Sequence, residues 1–197
     1  MEIAGTVFII VFGCLGHFIY EWSGHRKWAG IIFATNESTW EHIKLTIYPT
    51  LIWGVVEGAV RGFSPLLAVS TATALAVMMV LIPGLFYGYT AIVGRNFLIT
   101  DIICFILAVS GGMAVFHMLY AIGLTVPKPL LITSLALLAL IVLAYLLFSY
   151  NPPRNFLFRD PITGGFGPYG HDCNADFHNV GAHRHKHHNH HNHGDIV

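Results

Sequence analysis

The chain has 197 residues, of which 55% are hydrophobic and 10% charged, and its formal net charge is zero. Length alone suits one or two soluble domains, but a soluble domain carries about 25% charged residues, so composition excludes that class. A neutral chain with scattered basic residues offers no nucleic-acid-binding face. Cys14, Cys104 and Cys173 lie far apart without a CxxC, which supports neither a disulfide framework nor a zinc knuckle.

Apolar runs of about 20 residues are the signature of transmembrane helices. The first run is Ile3 to Tyr20, and Met1-Glu2-Ile3 lacks the positive start of a signal peptide, so an uncleaved span is expected. The second is about Leu45 to Val60, with a kink expected at Pro49. Its helix starts earlier, near Ser38, because Ser38-Thr39-Trp40-Glu41 reads as a capping box. The third run, about Pro65 to Val93, is long enough to tilt or to break at Pro83-Gly84. The fourth is Phe97 to Ile122. The fifth, about Val126 to Leu147, is nearly pure Leu, Ala and Ile and should face lipid most, before Asn151-Pro152-Pro153 stops it. Tyr20, Trp22, Trp28, Trp40, Tyr48 and Tyr150 sit near run ends, as an interfacial belt requires. Gly54-x-x-x-Gly58 and Gly84-x-x-x-Gly88 permit close helix contact and a homo-oligomer through small-residue faces.

The pattern therefore predicts an all-α integral membrane bundle of five transmembrane helices. Residues 1–150 form the bundle, 151–170 a Pro/Gly-rich cytoplasmic loop ordered against its mouth, and 171–197 a histidine-rich tail. The ordered loop would bring Asp160 toward Lys44. Arg26, Lys27, Lys44, Arg95, Arg154, Arg159, Arg184 and Lys186 fall on one side of such a bundle, against Arg61 and Lys128 on the other. The positive-inside rule puts the N-terminus out and the C-terminus in. The expected location is a cell membrane, of the bacterial plasma-membrane type, with the bilayer as the partner.

The ionisable residues between Gly16 and Lys44 are the candidates for chemistry. His17 and Glu21 are four apart and share a helical face. The topology brings them to the depth of Glu37, Glu41, His42 and Asp101, at the cytoplasmic rim. Imidazoles and carboxylates suit zinc, manganese or iron, and His17, Glu21, Glu41, His42 and Asp101 are the candidate ligands. Helix-end solvation explains such a cluster equally well, and carboxylates in a first turn favour the helix dipole. No HExxH or GxSxG accompanies the cluster. A second polar layer pairs Glu57 with His117, with Arg61 as the alternative partner of Glu57; it is either a packing contact or a step on a proton or cation path. It lies about 24 Å from the first, from the rise of a 16-residue helical stretch.

Of the 13 histidines, nine fall between His171 and His193. His183, His185, His187, His188, His190, His191 and His193 form a low-complexity tract without fixed ligand spacing. It is either a collector of zinc, nickel or a similar divalent metal, or a tolerated extension.

The segments Leu15-Gly-His-Phe-Ile-Tyr-Glu-Trp-Ser-Gly24, Asn36-Glu-Ser-Thr-Trp-Glu-His-Ile-Lys44, Asn151-Pro-Pro and Asp160-Pro-Ile-Thr-Gly164 resemble an uncharacterised family of small bacterial multi-pass membrane proteins, a domain of unknown function. The resemblance covers about residues 10 to 170, brings no activity with it, and implies that Asn36, Glu37, Trp40, Glu41, His42 and Lys44 form the family's marked segment. A fainter resemblance is to the ceramidase-like membrane hydrolases, through Ser38-x-x-x-His42 and Asp101. That group's late His-x-x-x-His is missing here, and five spans are fewer than its seven.

Three functions remain open from the sequence. The first is divalent-cation binding or transport through the rim cluster. The second is metal-dependent hydrolysis of a lipid-like substrate, with Glu37 or Glu41 as general base on a metal-bound water. The third is a purely structural membrane protein.

Overall fold

The structure, a computed structural model, describes residues 2–95 and 97–168. The histidine tract from His183 to His193 lies outside them. The described chain is helical: α1 Glu2–Trp22, α2 Lys27–Ile32, α3 Thr39–Arg61, α4 Pro65–Val93, α5 Leu98–Ile122 and α6 Lys128–Phe148. Five of these, all but α2, are long and apolar enough to cross a membrane. Among the described residues the extended pairing is a single bridge between Arg159 and Phe166.

The span limits follow the hydropathy closely, but α2 was not foreseen. It is a six-residue helix inside a stretch whose Arg26, Lys27 and Trp28 read as a polar connection. The chain reaches it through Gly24 and His25, both at positive φ, where a β-branched residue would be strained. Pro83 does not break α4, which runs through it for 29 residues. Pro49 likewise lies within an unbroken α3.

Helix α4 is the centre of the bundle, packing on α3, α5 and α6, while α1 packs on α3 and α5. Ile9, Leu75, Met78, Val109, Met113 and Ile141 are buried between them. The closest approach of α4 and α5 depends on Gly112, where a Cβ would strike Met78 and the Ala74 carbonyl. Gly13 does the same for α1, since its Cβ would strike Phe105 of α5 and the Leu45 carbonyl of α3. Small residues replace the hydrophobic driving force that is absent between helices in lipid. Gly84 and Gly88 have open space around them instead, so that pair makes no close contact among the described residues. The exterior is apolar too, with Val80, Ile99, Ile132 and Leu140 exposed. Helix α6 buries the smallest share of its span, 17%, as its uniform Leu/Ala/Ile sequence predicts.

Two expectations about the polar and aromatic residues are corrected. Trp40 and Tyr20 are buried, each 7% exposed, and are core residues rather than members of an interfacial belt; Trp22 and Trp28 are exposed as expected. Trp40 stacks on Tyr145 at 4.0 Å between centroids and on Phe158 at 4.4 Å. The Trp40 backbone N–H donates to the Leu157 carbonyl. The segment after α6 thereby folds against the start of α3. The Asn36 amide adds a bond to the Gly167 carbonyl, and the Tyr150 hydroxyl one to the Lys27 carbonyl. Lys44, counted above among the surface cations, is fully buried. Arg26, Lys27, Arg95, Arg154 and Arg159 still outnumber Arg61 and Lys128 among the described residues.

Candidate metal centre

The start of α3 is fixed by four short-range devices. The Ser38 hydroxyl accepts the N–H of Glu41, capping the helix. The reciprocal half of the capping box is missing, because Asn36 Oδ1, not Glu41, accepts the Ser38 N–H at 2.8 Å. Glu41 instead turns back over the preceding loop. Its Oε2 accepts the Thr35 N–H at 2.8 Å, the Thr35 hydroxyl at 3.2 Å and the Lys44 ammonium at 2.8 Å. Lys44 also donates to the Gly30 carbonyl at 2.9 Å and the Phe33 carbonyl at 3.5 Å. A buried ion pair is tolerated when its remaining hydrogen-bonding capacity is satisfied, and here the partners are a carbonyl of α2, the Phe33 carbonyl and the N–H and hydroxyl of Thr35. Glu41 and Lys44 thus act as a clamp on residues 30–35.

With Asn36, Ser38, Trp40, Glu41 and Lys44 engaged in this frame, Glu37 and His42 are the members of the marked segment that meet α1. Glu37 Oε2 lies 3.3 Å from Nε2 of His17 and 3.7 Å from Nε2 of His42. The two imidazole rings stand edge to face, 5.4 Å between centroids. One ligand atom from each of His17, Glu37 and His42 falls within 4.8 Å of the others. Ligands around zinc at about 2.0–2.1 Å in a tetrahedron stand roughly 3.3 Å apart, so the triad is close to the size of a coordination sphere. Nδ1 of His42 lies 3.0 Å from the Ser38 carbonyl. A carbonyl only accepts, so this contact favours a proton on Nδ1, and in the neutral ring of that tautomer Nε2 is the atom left to ligate a metal. A backbone carbonyl on the far ring nitrogen is the usual orienting partner of a metal-bound histidine.

The other candidate residues go elsewhere. Glu41 is committed to Lys44 and Thr35, and so is not beside His17 and His42. Glu21 is exposed on α1, outside the triad. Asp101 accepts the Tyr89 hydroxyl and lines the same cavity as the triad without joining it. Ser38 is a helix cap, which leaves the Ser38-x-x-x-His42 spacing without a free hydroxyl nucleophile. Asp160 does not meet Lys44: it is buried in its own turn, where Oδ1 accepts the N–H groups of Ile162 and Thr163.

In the second polar layer, Glu57 pairs with Arg61 at 3.0 Å, the alternative rather than the first-named partner. Arg61 lies over the Tyr120 ring of α5, while Glu57 Oε1 and His117 Nε2 have no hydrogen-bond partner among the described residues.

The triad borders a cavity of about 320 Å³ between α1, α3 and α5. Gly13, Cys14, Phe18, Leu45, Leu98, Ile102 and Phe105 form its apolar wall. His17, Glu37 and His42 are only part-buried, with side-chain exposures of 24%, 34% and 20%. Sequence reasoning assigned Glu41 where Glu37 stands. The signal that separates them is the Lys44 three residues after Glu41, which holds that carboxylate at 2.8 Å.

Over residues 2–168 the sequence matches a family of unknown function (DUF6512), and the chain belongs to it. The match includes the triad and the cavity wall and ends before His171. No curated protein and no solved structure matches the chain.

Proposed function

We propose that this DUF6512 member is a multi-pass membrane protein that binds one divalent cation at His17, Glu37 and His42. The observation that carries this reading is the convergence of three ligand atoms within 4.8 Å, from a span helix, a clamped loop and a second span helix. Two imidazoles and one carboxylate suit zinc, manganese or iron. Three protein ligands leave a coordination position open, the pattern of sites that exchange or activate a ligand. An N-terminus-out topology, as the positive-inside rule expects, puts the site at the cytoplasmic rim; the histidine tract lies outside the described residues. Transport of the cation and chemistry at the open position are the two uses of such a centre; the adjoining cavity favours the second.

Thermal unfolding of the full chain tests the site without removing the tract. A ligand stabilises only insofar as it prefers the folded state. Wild type and His42→Ala carry the same tail, so any contribution from its histidines is common to both. Zinc or manganese at 100 times its Kd should stabilise chelator-treated protein by about 2.7 kcal/mol. His42→Ala should abolish that gain and Glu37→Gln should weaken it. Metal competes with protons for imidazole, so the gain should fade as pH falls. An equal shift in wild type and His42→Ala would refute the site.

A further inference from the structure

We infer that the cavity beside the triad binds a single-chain amphiphile, its acyl chain against α1 and α5 and an anionic oxygen headgroup, carboxylate or phosphate, at the open metal position. The headgroup half of this assignment rests on the metal reading; the chain half does not.

Three observations lead there. The polar groups are confined to one end. His17, His42 and Asp101 each sit about one helical turn from the apolar residues that continue the cavity inward, Gly13 on α1, Leu45 on α3 and Phe105 on α5. The side wall is shared with the outer surface. Phe18, Leu98 and Ile102 line the cavity and are 50%, 69% and 41% exposed, so the gap between α1 and α5 opens sideways onto the apolar exterior. The size also fits. At about 30 Å³ for a water-sized group, 320 Å³ holds roughly ten methylenes. A hydrated ion needs neither an apolar wall nor a lateral opening, whereas a lipid chain with a polar head needs both.

The charge balance selects the headgroup. Glu37 and Asp101 place two carboxylates at this end of the cavity, which opposes an anion there when no cation is bound. A divalent cation reverses the sign at the triad, and an anionic oxygen can then complete its coordination.

The experiment uses the full chain in amphipol, free of detergent, with a fatty acid carrying a mid-chain diazirine. Irradiation followed by peptide mass spectrometry reads which residues it labels. Label should concentrate on residues 13–18 and 98–105 and fall at least tenfold in Ile102→Trp, which fills the side opening from an exposed position. Leu98→Trp gives a second blocking variant should Ile102→Trp lose the metal-induced thermal shift. Dodecanoate should compete better than dodecanol in metal-loaded protein. In chelator-treated protein or His42→Ala that advantage should vanish while dodecanol still competes. Label spread evenly over the outer helix faces, or unchanged by both tryptophan variants, would overturn the chain half. Concentrated label with no metal-dependent preference for dodecanoate would overturn the headgroup half and leave the cavity as an acyl-chain site.

Discussion

Replacing Lys44 with methionine should lower the unfolding free energy by about 3–5 kcal/mol, the cost of leaving a buried charge without its partner. Lys44 is fully buried and Glu41 is 3% exposed, so solvent cannot take over the missing contact. The Gly30 carbonyl loses its ammonium donor as well. The double variant Glu41→Gln with Lys44→Met should recover much of the loss, because no unpaired charge remains and the amide can still accept from Thr35. Chemical denaturation of the three variants checks this. A Lys44→Met cost equal to that of an exposed substitution such as Lys27→Met would show that the pair is not a clamp. The same loss should loosen the loop that carries Glu37, so metal affinity should fall although Lys44 is no ligand.

Trp40→Ala should cost about 3–5 kcal/mol, the range for removing a buried large aromatic side chain. The ring is the single side chain that joins α3 to Tyr145 of α6 and Phe158 of the following segment by stacking. Its indole N–H is buried with no hydrogen-bond partner among the described residues, so Trp40→Phe keeps most of the packing and should cost far less. Limited proteolysis gives an independent reading: residues 151–168 should become cleavable in Trp40→Ala and stay protected in Trp40→Phe. Unchanged protection in Trp40→Ala would mean that hydrogen bonds such as those from the Trp40 backbone, Asn36, Tyr87 and Tyr150 hold the segment without the ring.

Much of the bundle is legible in the sequence because a span declares itself by length and composition, independently of what it packs against. The limits of α4, α5 and α6 follow the apolar runs to within a residue or two. What composition does not encode is partner choice. Trp40 has the sequence position of an interfacial anchor, and only the return of the chain after Asn151 makes it core. Lys44 has the position of a cytoplasmic surface charge, and only α2, too short for a periodicity signal, supplies the carbonyl that lets it be buried. Residues His17 and His42 were recoverable from topology, since both lie within a turn of the same helix ends. Glu37 and Glu41 could not be separated by depth. They differ in what their neighbours leave them to do, and the Lys44 ammonium decides it. The Asp101–Tyr89 contact and the cavity wall depend on the approach of α4 to α5 and of α1 to α5, which glycines at 112 and 13 permit but do not announce.

The division of the marked segment into a frame (Asn36, Ser38, Trp40, Glu41, Lys44) and a metal-facing pair (Glu37, His42, completed by His17) is tested most directly by elemental analysis. Purified protein is compared as the full chain, as a chain ending at Gly170, and as that shorter chain with His17→Ala and His42→Ala. The account predicts about one divalent metal per chain in the Gly170-terminated form, within the three-ligand open-site pattern, and none after the double substitution. Metal that disappears with the tail alone, or that survives the double substitution, would contradict it.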